Sequence, residues 1–301
     1  MLPLPIQFFG LSRHGKTTYL AALTMALQRV NGAWSGFTAM PATESSQRLV
    51  REATNYFATG KLPPPSPSGG KDSYLMLLNR IPKWMKAALT IRDCSGEAFR
   101  EIDVDLSEAT FLLKGSLTFM FISIEDLKDS GGYTMDNLMT SYLNALATQG
   151  ARLDREYRKI VVLLTKADLF WDRLPDDLLN YVKEDPVWSA CREEGKPPRW
   201  YSLAEMESYL EEMIRISRSI EEWICGLAAG RTFVALARDR NVEIQFSLVS
   251  STGGAPRSQD NLLPTGWEPS RVLDPLLWAL ELDGRRRQEI SRLYKAAAGL
   301  S

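Results

Sequence analysis

The segment Gly10-Leu-Ser-Arg-His-Gly15-Lys16-Thr17 constrains this chain more than any other. It matches G-x-x-x-x-G-K-[ST], a pattern that chance places in roughly one chain in a hundred of this size. The apolar run Leu4–Phe9 precedes it, reading as a buried strand. In Lys16–Val30 the apolar residues Leu20, Leu23, Leu27 and Val30 recur at steps of three and four, which predicts a helix with one buried stripe. Glycines in the connecting turn let the backbone wrap closely around phosphate groups, and the N–H groups of the helix start favour negative charge. Gly10, Ser12, Arg13, His14, Gly15, Lys16, Thr17 and Thr18 are therefore candidate nucleotide-binding residues. In such a loop the lysine, here Lys16, meets the β- and γ-phosphates, and the hydroxyl of Thr17 is a candidate Mg²⁺ ligand.

The remaining apolar runs extend the pattern. Tyr74–Leu78, Ala87–Arg92, Leu117–Ile124, Ile160–Leu164 and Val242–Val249 read as strands, several of them continuous rather than alternating, as parallel strands covered on both faces are. Helical stripes run through Leu210, Met213, Ile214, Ile220, Trp223, Ile224 and Leu227, and through Leu273, Leu276, Leu277 and Leu280. The prediction is an α/β fold: a mostly parallel central sheet of about six strands with helices on both faces, formed by residues 1–301 as a single domain. Two stretches interrupt the rhythm. Gly60–Lys71 (GKLPPPSPSGGK) cannot hold a helix or central strand and is a surface linker, a polyproline ligand for another domain, or a mobile functional loop. Leu169–Asn241 is too long for a simple connection and carries Trp171, Trp188 and Trp200, so it reads as a helical insertion packed on the sheet.

Composition narrows the function classes. Thirty-six Lys and Arg against 37 Asp and Glu give a net charge of −1, with no field directed at nucleic acid. One histidine and three scattered cysteines argue against a zinc site and fit a reducing compartment. No apolar run approaches the length of a bilayer span, and the start MLPLPIQFFG lacks the features of a secretion signal. The expectation is a cytoplasmic chain without a transmembrane segment.

Two later motifs specify the nucleotide. Asp93-Cys-Ser-Gly96 follows the run Ala87–Arg92, and its carboxylate can reach Mg²⁺ while the Gly96 N–H meets the γ-phosphate. Thr165-Lys166-Ala-Asp168 follows Ile160–Leu164 and matches [NT]-K-x-D. An aspartate there accepts two hydrogens from the N1 and N2 side of guanine, which adenine does not offer, and the lysine stem covers the base. All three motifs fall at the C-terminal ends of predicted strands, where ligands bind in open α/β sheets.

In this arrangement the chain resembles the translation-factor-like class of P-loop GTPases with a Ras-like G domain, over Leu4 to about Thr252. The proline-rich loop before a strand, the Glu97 that follows Gly96, and the closing PLLWAL segment are most similar to bacterial double-GTPase-type domains. The resemblance implies GTP and GDP as ligands, Mg²⁺ as cofactor, slow hydrolysis, a nucleotide-dependent switch and a protein partner that senses the switch loops. It also implies an antiparallel edge strand near Tyr74–Leu78, and a fifth motif at Val249-Ser250-Ser251-Thr252 whose backbone N–H groups contact guanine O6. A first-switch Ser or Thr hydroxyl should join the Mg²⁺ shell, with Ser66 preferred and Ser68, Thr59 and Thr54 left open.

Several residues keep two readings. Glu97 stands where the family orients the attacking water, or it begins an exposed helix. Arg13 resembles the arginine of the GLYRTGKS loop of guanylate-binding proteins, a finger acting within its own chain, or it points to solvent. His14 reads as a spacer, Cys94 as incidental, and Arg285-Arg286-Arg287 as a solvated helix face or a contact for an acidic partner. Three hypotheses result: a self-sufficient GTPase, a GTP-binding interaction module with little turnover, and an ATP-using P-loop enzyme.

Overall fold

The computed structural model describes residues 3–64, 71–94, 117–127, 135–148, 158–192, 202–257 and 260–284. Seven strands make up its sheet: β1 (Pro3–Phe9), β2 (Thr38–Pro41), β3 (Lys71–Ile81), β4 (Met85–Cys94), β5 (Leu117–Ser123), β6 (Arg158–Thr165) and β7 (Val242–Leu248). They lie in the order β2-β3-β4-β1-β5-β6-β7. Strands β4, β1, β5, β6 and β7 run parallel, whereas β3 is antiparallel to both β4 and β2. The expected antiparallel strand at Tyr74–Leu78 is thus present as part of β3, but it is not the edge. That place belongs to β2, whose four residues Thr-Ala-Met-Pro are too few to show a period in the sequence.

Side-chain alternation along the central strands builds two cores, one on each face. Ile6, Phe8, Phe119, Phe121, Val161 and Leu163 point to one, and Phe9, Met120, Ile122, Ile160, Val162 and Leu164 to the other. Every residue of β5 and β6 is buried, which explains the apolar runs Phe119–Ile122 and Ile160–Leu164 within them. The first core receives helix α1 (Lys16–Arg29), helix α2 (Glu44–Thr59) and the helix over 274–284, so the Leu273–Leu280 stripe is core. The second receives α3 (Met135–Thr148) and α7 (Ala228–Asp239).

Between β6 and β7 the chain forms α4 (Asp176–Lys183), α5 (Pro186–Arg192), α6 (Leu203–Cys225) and α7. Helix α6 starts at a capping box made by Ser202 and Glu205. Its first half packs in one core through Leu210 and Met213, and its second half in the other through Ile216, Ile220 and Ile224. It therefore wraps the β7 edge, where Phe246 N donates to Ser217 Oγ at 2.9 Å and satisfies an edge amide. No described helix is long and apolar enough to cross a membrane.

The first residues of the 60–71 segment are anchored: Gly60 ends α2 in the left-handed region at φ 70°, and Leu263 N donates to its carbonyl at 2.9 Å. Lys71 already belongs to β3. Ser66, Ser68, Gly96, Glu97, Trp200 and Arg285–Arg287 lie outside the described residues.

Candidate guanine-nucleotide site

The loop after β1 is held by close packing. A Cβ on Gly10 would stand 2.8 Å from the Phe121 carbonyl and 2.9 Å from its Cβ, so only glycine lets β1 leave the sheet this near to β5. Gly15 precedes α1 at φ 82°, and Tyr19 N donates to the Gly15 carbonyl to close the first helical turn. The N–H groups of the helix start, which an α-helix cannot itself satisfy, belong to Gly15, Lys16, Thr17 and Thr18. The buried ammonium of Lys16 folds over the loop and donates to the carbonyls of Gly10 (2.7 Å) and Leu11 (3.0 Å). Arg13 adopts φ 70° and is exposed. Its guanidinium makes no hydrogen bond or ion pair with the described residues.

His14 is buried and engaged on both ring nitrogens: Nδ1 lies 2.7 Å from the Phe121 carbonyl and Nε2 lies 2.8 Å from Asp126 Oδ2. Asp126 and its neighbour Glu125 sit on a short 3₁₀ turn, Ile124–Leu127, directly after β5. A cavity of about 290 Å³ opens here, lined among others by Ser12, Arg13, His14, Glu125, Asp126 and Lys166.

The threonine-lysine-x-aspartate motif ends β6 beside this loop. Thr165 Oγ1 donates to the carbonyls of His14 (2.9 Å) and Ile122 (3.2 Å), so the hydroxyl fastens the phosphate loop to the sheet. Lys166, at φ 61°, forms an ion pair with Glu125 at 2.6 Å. Asp168 accepts from Ser250 Oγ at 2.6 Å, and Ser250 Oγ in turn accepts from Gly253 N at 3.0 Å. Burial pushes the Asp168 carboxyl above its ordinary range, and the Ser250 hydrogen bond opposes that rise by stabilising the anion. The segment expected to be the fifth motif therefore lies against Asp168. Its contacts differ in one respect: the Ser250 N–H already donates to the Ser270 carbonyl at 3.1 Å, so a contact to guanine O6 from this turn falls to Ser251 onward.

The residues expected to hold Mg²⁺ can be tested by their chemistry. Thr17 lies in the first turn of α1, and Asp93 is buried near the end of β4, whose pairing of Arg92 with Gln7 puts it next to β1. Both offer hard oxygen ligands. Among the described residues no three His, Cys, Asp or Glu side chains cluster where they could hold a metal, so an ion here would depend on the Asp93 carboxylate together with hydroxyl, water and phosphate oxygens. That is the coordination Mg²⁺ favours, and the donor set fits it. The Thr54 and Thr59 hydroxyls donate to carbonyls four residues back within α2, at 2.8 Å each, and are engaged in their own helix.

Sequence reasoning missed the side chains that join these motifs. Glu125 and Asp126 carry no motif, and their one signal is position, at the C-terminal end of a buried parallel strand. A second buried polar group also went unread. Arg271 donates to the carbonyls of Tyr181 and Glu184, while Tyr181 and Tyr209 hydroxyls donate to Asp274 at 2.5 and 2.6 Å. It braces α4 and α6 against the residues that follow Ser270, two stretches that no sequence pattern pairs.

A phosphate loop at the end of β1, an aspartate at the end of β4 and a base-recognition motif at the end of β6 define a G domain of the translation-factor-like class of P-loop GTPases. The family model Double-GTPase 2 matches residues 4–193, more than half of the chain, and the chain belongs to that family. Among curated proteins none matches. Solved structures similar to it include the Ski7 GTPase-like domain of S. cerevisiae bound to GDP and inorganic phosphate, with 15% identity and a TM-score of 0.39 over 94% of this chain and 50% of that one. The same domain bound to GTP gives 14% identity and a TM-score of 0.38, over 93% and 50%. The chain thus spans about half the length of these structures, and the family match carries the assignment.

Proposed function

We propose that this chain binds GTP and GDP with Mg²⁺ and hydrolyses GTP slowly to GDP and phosphate, acting as a nucleotide-dependent switch. The observation that carries this reading is the pairing of Asp168 with Ser250 beside the phosphate loop, because it presents an oriented carboxylate where a base would lie. Lys16 and the N–H groups at the start of α1 bind the phosphates. Thr17 and Asp93 hold Mg²⁺, with a hydroxyl such as Ser66 from residues 60–71; when bound, the ion supplies positive charge to the phosphate oxygens. Arg13 is exposed beside the loop without a partner among the described residues, so its cation is available to the transferring phosphoryl group. Glu97 orients the attacking water. Residues around Ser66 and Asp93–Glu97 respond to loss of the γ-phosphate and change the surface offered to a protein partner.

Competition between GTP and ATP for the purified chain tests the base assignment. Asp168→Asn should shift preference toward xanthine nucleotides, and an unchanged preference would remove Asp168 from base recognition. Single-turnover hydrolysis by wild type and Arg13→Ala separates a self-sufficient enzyme from an interaction module, since two equally inactive proteins would exclude the former.

A further inference from the structure

We propose that Trp267 is a positioning residue that ties the turn Ser250–Gly253, on the base side of the site, to the start of the 60–71 segment, so that guanine binding at the one steadies the other. The inference rests on the guanine-nucleotide reading and adds a coupling to it. Two consecutive residues make the tie. Glu268 N donates to the Thr252 carbonyl at 3.0 Å. Gly253, at φ 79°, packs so closely there that a Cβ would stand 2.4 Å from the Glu268 carbonyl. One position earlier, the indole Nε1 of the buried Trp267 donates to the carbonyls of Tyr56 at 3.0 Å and Lys61 at 3.3 Å, one inside α2 and one just past its end. Its ring stacks on Phe57 with centroids 4.6 Å apart. Leading into Trp267, the chain adds two further bonds to the same segment: Leu62 N donates to the Asn261 carbonyl at 3.1 Å, and Leu263 N to the Gly60 carbonyl at 2.9 Å.

The consequence follows from what the turn does for the base. Ser250 Oγ donates to Asp168 and accepts from Gly253 N, so a guanine held by Asp168 orders the whole turn. An ordered Thr252 carbonyl fixes the acceptor of Glu268 N, and Glu268 in turn fixes the backbone of its neighbour Trp267. Order gained at one contact lowers the entropy lost at the next, which couples two places without a change of shape. Removing the indole N–H cuts the path at its last link, the Tyr56 and Lys61 carbonyls. Coupling of this kind is reciprocal, so whatever steadies residues 60–62 also favours guanine binding.

The amides of Leu62 and Leu263 report on the joint directly, because each is bonded across it. Hydrogen exchange at both should be slower in the wild-type chain saturated with GDP and Mg²⁺ than in the nucleotide-free chain, by roughly fivefold or more. The Phe246 amide, bonded to Ser217 at the β7 edge, is the reference for stabilisation of the whole fold, and the slowing is read relative to it. Trp267→Phe keeps a ring against Phe57 and removes the donor. In this variant GDP should still slow the Glu268 amide, whereas the extra slowing at Leu62 and Leu263 should disappear. A tryptophan that merely supported the fold would, when replaced, speed exchange equally with and without nucleotide. Calorimetry on the same samples shows which chains are loaded. Exchange at Leu62 and Leu263 that GDP leaves unchanged in a loaded wild-type chain would overturn the proposal, as would the same extra slowing in Trp267→Phe. Absence of GDP binding to the wild type would overturn the guanine reading and the coupling with it, an outcome that calorimetry distinguishes from a loaded chain without coupling.

Discussion

The substitution Thr165→Val asks whether the first residue of the base-recognition motif serves the nucleotide or the loop. Thr165 is 1% exposed, and its hydroxyl donates to the His14 carbonyl at 2.9 Å and the Ile122 carbonyl at 3.2 Å. Valine keeps the shape and removes the donor, leaving two buried carbonyls without it. One proton shared between two acceptors is worth about one ordinary hydrogen bond, roughly 0.5–1.5 kcal/mol net, and the buried carbonyls raise the cost toward the upper end. A loss of about 1–2 kcal/mol results, or a fall of roughly 2–6 °C in the thermal midpoint. Urea unfolding of the nucleotide-free chain should show a lower midpoint with an unchanged slope. Thr165→Ser keeps the hydroxyl and should recover most of the loss. An unaltered midpoint in Thr165→Val, accompanied by weaker GDP binding, would refute the reasoning, because it would mean the hydroxyl faces the ligand.

Other substitutions probe the remaining parts. Gly10→Ala forces a Cβ to within 2.8 Å of the Phe121 carbonyl, so it should destabilise the fold by about 1–3 kcal/mol in thermal denaturation. Lys16→Ala should abolish calorimetric binding of GDP and GTP while leaving the unfolding midpoint of the nucleotide-free chain within about 1 kcal/mol of wild type. Burial raises Asp274 to about 6, against the Arg271 cation and two tyrosine hydroxyls that pull it down. The folded chain thus holds this proton more tightly than the unfolded one, so the stability it contributes is present below about pH 4 and is lost as pH rises through about 6. Urea midpoints across that window should fall in wild type and stay flatter in Asp274→Asn.

Much of the fold was legible because burial on both faces leaves a local mark. The centres of β5 and β6, Phe119–Ile122 and Ile160–Leu164, are apolar at every residue, since neither side meets water. The loop Gly10–Thr17 was legible for a related reason: close backbone approach admits only glycine at position 10, and a left-handed turn favours it at position 15. Strand β2 left no such mark, being four residues long. Its displacement of β3 from the sheet edge could not be read.

The sequence alone named the candidates for phosphate, metal and base, because those requirements act on a few residues at short spacing. Only the tertiary structure decided how they are joined. His14 meets Asp126 across 112 positions of chain, and Thr165 reaches back to His14 across 151. Asp168 and Ser250 are brought together by the parallel pairing of β6 with β7. Contacts of that range depend on the order of strands in the sheet, a property of the whole packed chain that no local pattern records.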